Sequence, residues 1–185
     1  MGCGAAERRG WEQTQETLVL GDGAPWIGNQ AALHFGTSHQ WVDWYHAKQH
    51  LVEAGQALLG ENEAARQRWL NSRETQLYQG QAAWIAEELE QAASQQPGQA
   101  TVLAREAGYV RDNQDRMNYR ALREAGWPIG SGMVESGAKQ LKARFCGPGM
   151  RWSRQGAENL LPVRTAILSQ RFDELWAHVY NAPLN

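Results

Sequence analysis

The sequence predicts an α/β chain that is mostly helical, with two short strands near its start. Three observations carry this reading. Residues 17–27, TLVLGDGAPWI, are an apolar β-type run that stops on an acid: Leu18, Val19 and Leu20 favour a strand, Gly21 and Gly23 permit unusual backbone angles, and Pro25 forbids continuation. Residues 39–44 are a second such run, and it too reaches an acid, Asp43. Beyond Asp43 apolar residues recur at helical rather than strand spacing over most of the remaining chain.

Taken in order, residues 1–16 are polar and read as the tail of a helix. The first strand then runs to Asp22, a short helix covers residues 26–34, and the second strand is expected to pair with the first or lie near it in a small, incomplete sheet with an exposed edge. Ala47, Leu51, Ala54 and Leu58 recur at intervals of four, three and four, giving a helix that Gly60 ends. Residues 61–96 are rich in Glu, Gln, Ala and Arg. Trp69, Leu70, Leu77, Trp84, Ile85 and Leu89 are spaced there as on amphipathic helices, expected to project from the core. QQPGQ breaks this region at 95–99, and a helical stretch follows from 101 to about 125.

The loop GWPIGSG, residues 126–132, leads into a helix whose stripe is Val134, Ala138, Leu141 and Phe145, expected to be buried. Glu135, Lys139 and Lys142 share the adjoining flank. After the loop CGPGMRWS, Ser153 is placed to cap the closing helices, with Pro162 near the start of the first. Leu160, Leu161, Ile167, Leu168, Phe172, Leu175 and Trp176 are their expected core face. The domain reading is 1–60, a helical insertion at 61–125, and 126–185.

A chain of 185 residues can bury a sizeable core, and nine Trp argue for a packed body. Without a signal-peptide pattern or a long apolar run, and with only Cys3 and Cys146 as thiols, it reads as cytoplasmic, with no membrane partner. The net charge of −2 hides an uneven distribution. From Arg105 to Arg171 twelve Lys and Arg face six acids, whereas the remainder has six against fourteen. A basic C-terminal part suits either a solvated surface or a polyanion.

Three groupings could carry chemistry. Asp22, at a strand's C-terminal end where open sheets build sites, can pair with Glu135 to hold Mg²⁺ or share a proton; the bland roles are an Asx turn for Asp22 and an i, i+4 pair with Lys139 for Glu135. Asp43, His46 and His50 fall on one helical face at a spacing that suits zinc, although the glutamate of zinc-protease motifs is replaced by Ala47; the bland role for His50 is that of a satisfied core histidine. Arg151 and Trp152 on their glycine loop, with Lys139, Lys142 and Arg144, can bind phosphates and stack on a base, or form an Arg–Trp stack.

Together, LGDGAPWI, VDWYHAKQHL, PIGSGMVES and GPGMRWS resemble, in order and spacing, the C-terminal part of bacterial insertion-sequence transposases of the DDE type, most closely the ISKra family. The resemblance runs from about Arg8 to Trp176. It implies an incomplete ribonuclease-H-like core, with Asp22 as the second catalytic acid and metal ligand and Glu135 as the third. Asp43 and His46 become a DxxH signature, a hydrogen-bonded pair supporting the site, and residues after Gly60 become the insertion domain. Lys139, Lys142, Arg144, Arg151 and Trp152 would lie on the DNA.

The implied partner is DNA at transposon ends, in a homo-oligomer. The implied cofactor is Mg²⁺ or Mn²⁺, with two ions expected only in the intact enzyme, where they serve an in-line displacement at phosphorus. The sequence departs from the family in lacking the first catalytic Asp upstream of Leu18, so the chain is expected to be inactive alone unless a companion N-terminal fragment supplies that acid. It also has Gly28 where relatives carry a second Trp. The rival expectations are a non-catalytic DNA-binding or interaction remnant and a helical zinc hydrolase.

Overall fold

The computed structural model describes residues 6–7 and 10–181, apart from the side chain of Met133. Cys3 and part of the first predicted helix tail lie outside the described residues; Trp11–Gln13 within it is a single 3₁₀ turn. The chain divides into two compact units, Met1–Ser131 and Gly132–Asn185. No helix of the described residues is long and apolar enough to cross a membrane.

In the first unit β1 (Leu18–Gly21) and β2 (His39–Val42) pair in parallel, Leu18 opposite His39 and Gly21 opposite Val42. The connection is α1 (Pro25–His34), which starts on proline at a position where no amide donor is needed. This is a minimal βαβ unit, and the register sets Asp22 and Asp43 side by side just past the strand ends; the Asp43 amide donates to the Gly21 carbonyl at 2.7 Å. Because a parallel ladder alternates its bonds, Leu18 and Leu20 turn their main-chain groups to the outer edge of β1.

The core of this unit is helical. It is built from α2 (Trp44–Leu59), α3 (Glu63–Tyr78), α4 (Ala82–Gln95), α5 (Ala100–Asn113) and the short α6 (Tyr119–Glu124). Leu51 and Ala54 of α2 are fully buried with Leu77 of α3, Ile85 and Leu89 of α4, and Leu103 and Val110 of α5. At about 25 cal/mol per Å² of apolar surface, each such side chain contributes roughly 1.5–3 kcal/mol. Residues 61–125 therefore do not project from a core formed elsewhere; they share one core with α2, and the unit boundary falls after Ser131 rather than at 60 and 125. The physical reason is that the apolar stripes of α2, α4 and α5 bury one another in a single cluster. The long helical stretch predicted from 101 to 125 is also interrupted, by a 3₁₀ turn at Gln114–Arg116.

Tyr119 is fully buried at the edge of Trp44, their ring centroids 4.9 Å apart, and its hydroxyl has no hydrogen-bond partner among the described residues. Burial pushes that hydroxyl's pKa well above the ordinary tyrosine value, so it stays protonated. An orphaned buried hydroxyl costs about 1–3 kcal/mol. Tyr119→Phe is accordingly expected to raise the stability of the unit by about 1 kcal/mol, read as a shifted urea midpoint with an unchanged slope.

The second unit holds α7 (Gly132–Phe145), α8 (Arg154–Leu168) and α9 (Phe172–Tyr180). Ser153 caps α8 as expected, its hydroxyl accepting from the Gly156 amide at 3.0 Å, and Pro162 sits inside the helix. The expected core stripe is not buried: Leu141 and Phe145 are half-buried, but Val134 is 73% exposed and Ala138 is exposed. Leu160, Leu168 and Leu175 are half-buried too, whereas Leu161, Ile167, Phe172 and Trp176 are exposed. Periodicity marked the apolar face of each helix correctly, but three short helices within this unit offer too little facing surface to cover it.

Candidate functional site

Asp22 opens the wall of a cleft of about 850 Å³ in the first unit, shared with His46 and His50 of α2 and with Tyr109, Asp112 and Arg116. Its position follows from local chemistry. The Asp22 Oδ1 accepts from the Ala24 amide at 2.8 Å, an Asx turn that reverses the chain between β1 and α1. The side chain is exposed, and among the described residues nothing bonds to its Oδ2. The bland role of Asp22 is thus fulfilled by one oxygen while the other faces solvent.

Gly23 has φ +88°, and a Cβ there would lie 3.0 Å from the Tyr109 ring and hydroxyl. Only glycine fits both the backbone angle and the space. The Tyr109 hydroxyl donates to the Asp22 carbonyl at 2.8 Å, fixing the turn against α5. Burial first, and the Asp22 carboxylate second, push the pKa of that hydroxyl well above the ordinary range, so it remains a donor. Gly23→Ala is expected to destabilise the unit by about 1–2 kcal/mol from backbone strain alone, with displacement of Tyr109 added. Thermal melting, with Tyr109→Phe as the control for the lost bond, checks this.

Asp43 is buried and fully engaged. Its Oδ1 accepts from the amides of Tyr45 at 2.8 Å and His46 at 3.3 Å, capping α2, while Oδ2 accepts from the Ser131 amide. The Trp44 amide donates to the Ile129 carbonyl at 2.9 Å, and Gly130 lies where a Cβ would meet the Tyr45 ring at 2.9 Å. Asp43 therefore ties the end of β2 to the loop of residues 126–131. The bond that joins Asp43 to His46 comes from the His46 main-chain amide, and His46 also lines the cleft with Asp22.

The three zinc candidates do not converge. Asp43 is committed to backbone amides, and His50 Nδ1 lies 2.5 Å from the Glu106 carboxylate on α5. Among the described residues no group of three or more His, Cys, Asp or Glu side chains is arranged to hold a metal ion. Asp22 itself suits Mg²⁺ as one ligand, a solvent-facing carboxylate oxygen being a hard donor.

In the second unit Glu135 is exposed in the first turn of α7, with Lys142 and Arg144 in its last turn and Lys139 exposed between them. Arg151 and Trp152 are exposed on the loop before α8. The guanidinium over the Trp152 ring, 5.9 Å from its centroid, is that of Arg144 rather than Arg151, and Phe145 packs on the same indole at 5.8 Å. Cys146 is a free, exposed thiol.

Compared with protein-family models, with curated proteins and with solved structures, the chain finds no match. Glu106, Tyr109 and Arg116 are cleft-associated residues that sequence reasoning missed. Glu106 had one usable signal: within the α5 pattern it falls beside Leu103, Ala107 and Val110 on the apolar face, where an acid requires a partner. Arg116 occupies the space above Gly28, its Nη1 3.3 Å from where a Cβ would stand, so the missing side chain at 28 is replaced by a guanidinium.

Proposed function

We propose that this chain is part of a DDE-type insertion-sequence transposase, acting on DNA by metal-dependent phosphodiester cleavage and strand transfer, with Asp22 and Glu135 as two of its acids. The observation that carries the reading is the gathering at the strand ends. β1 and β2 deliver Asp22 and Asp43 side by side, and the Asp43 carboxylate holds the amide of Ser131. His46 joins Asp22 on the cleft, as the four linked motifs imply.

In this reading Asp22 and Glu135 hold Mg²⁺ or Mn²⁺, which when bound supplies charge stabilisation for displacement at phosphorus. The residues of the chain do the remainder. Asp43 fixes the loop that leads to α7, Tyr109 fixes the turn that carries Asp22, and the exposed Lys139, Lys142, Arg144 and Arg151 neutralise the DNA backbone without reading its sequence. Two acids do not hold both ions in the geometry that in-line displacement demands, so activity requires the third from a companion segment.

The test is strand transfer with transposon-end DNA and Mn²⁺, with and without a companion polypeptide bearing the first Asp. Product is expected only in the mixture and is expected to disappear with Asp22→Asn. Product from the chain alone, abolished by Asp22→Asn, refutes the need for a third acid. DNA binding with no product in any mixture favours the non-catalytic remnant, for which the Asx turn of Asp22 is the supporting observation.

A further inference from the structure

The strongest unexplained feature of the first unit is a buried acid that no expected role uses. Glu106 is fully buried on α5, and an ionised carboxylate in that position costs several kcal/mol unless both oxygens are matched. Both are. Oε1 accepts from the Arg105 guanidinium at 2.6 Å, and Oε2 lies 2.5 Å from His50 Nδ1 across the packed helices. Arg105 is 61% exposed and reaches on to Glu53 at 2.8 Å, so its charge is shared with solvent and a second acid.

An ionised carboxylate can only accept, so His50 Nδ1 carries the hydrogen and, in the neutral ring, Nε2 carries the lone pair. The two ring nitrogens lie on opposite edges. The Nδ1 edge meets a fully buried carboxylate, which leaves the opposite edge for the cleft that the partly exposed His50 lines. The ring is also held flat: Tyr109 stacks on it with centroids 3.5 Å apart and planes 18° apart, and the Tyr109 hydroxyl is the group bonded to the Asp22 carbonyl. His50 is therefore one ring away from the turn that presents Asp22, with its tautomer and its plane both fixed.

We propose that Glu106 is a positioning residue that turns the His50 Nε2 lone pair into the Asp22 cleft, and that His50 accepts the proton of a hydroxyl bound there, a water or a nucleotide 3′-hydroxyl. In that step the hydroxyl proton passes to Nε2, the oxygen forms its bond to phosphorus, the bond to the leaving oxygen breaks, and the leaving oxygen takes a proton from water, the hydroxide so formed recovering a proton from the His50 imidazolium. The identity of the hydroxyl rests on the phosphodiester reading above. The tautomer and the exposed lone pair do not.

Glu106→Gln separates this from a purely structural ion pair. Arg105 can only donate, so the amide oxygen must stay at the Oε1 position and the NH₂ must face His50. That forces Nδ1 to accept and moves the hydrogen to Nε2, with shape preserved. Long-range ¹H–¹⁵N spectra of the neutral histidine rings are expected to show the Nδ1–H tautomer for His50 in the wild type and the Nε2–H tautomer in Glu106→Gln. Acylation of His50 by diethyl pyrocarbonate, mapped by mass spectrometry, is expected to fall by about tenfold or more in the variant, as when a triad acid becomes an amide, with His34 and His39 as unchanged internal controls.

Circular dichroism and melting confirm that the variant is folded. If it is not, the wild-type tautomer alone decides. An Nε2–H tautomer in the wild type, or acylation of His50 unaffected by Glu106→Gln in a folded protein, overturns the proposal. Neither readout uses DNA or metal, so the expected tautomer in a chain that gives no strand transfer with its companion segment counts against the phosphodiester reading and not against His50 as a base.

Discussion

The double variant Arg105→Met with His50→Leu is expected to lose about 3–5 kcal/mol of stability, because it strips both partners from a carboxylate that has no access to water. That is a large share of the 5–15 kcal/mol that holds a typical domain together. Each single variant should cost less, since one partner still answers the charge. The partners themselves sit near solvent, with His50 29% and Arg105 61% exposed, so the reverse truncation leaves no comparable buried charge. The discriminating member of the series is the triple variant with Glu106→Met, which removes the charge and fills its space. It is expected to recover most of the loss, as a whole buried ion network replaced by apolar groups does. Urea unfolding of the wild type and the four variants measures this, and a triple variant no more stable than the double one would show that packing of α2 on α5, not the buried charge, set the cost.

That network also shows where the sequence was legible and where it was not. The strands, the α2 stripe and the Ser153 cap were readable because each depends on neighbours within a few residues: apolar runs ended by Gly and Pro, a 3.6-residue period, and a hydroxyl three positions before an amide. The parallel register of β1 on β2 was only half legible, since the acids at the strand ends were seen but not which residues pair. The His50 to Glu106 bond spans 56 positions and has no local signature at all; only the anomaly of an acid on the apolar face of α5 hinted at it. The same limit explains the uncovered stripe of α7. A period of 3.6 says which side of a helix is apolar and says nothing about whether another element covers it. Asp43 was open to two readings, support and zinc ligand, because a helix cap and a metal ligand are written with the same residue in the same position.

Asp22→Asn is expected to weaken Mn²⁺ binding by about 10- to 100-fold, and Glu135→Gln to weaken it equally if the two acids serve one ion as proposed. The ground for Asp22 is its solvent-facing Oδ2 on a turn that Gly23 and Tyr109 hold rigid. The ground for Glu135 is the motif PIGSGMVES that carries it, which by resemblance supplies the third acid. Ligands on a common Mg²⁺ stand about 2.0–2.1 Å from it, which places their oxygens within roughly 4 Å of each other; without the ion, like charge spreads them, and up to about 8 Å is compatible with the same site. Paramagnetic broadening by substoichiometric Mn²⁺ reads this directly. Amides near Asp22 and near Glu135 should broaden together, and either substitution should release both sets. Broadening confined to one set, or to the second set after Asp22→Asn, would mean two separate weak sites and would remove the shared-ion basis for assigning Asp22 and Glu135 to one reaction.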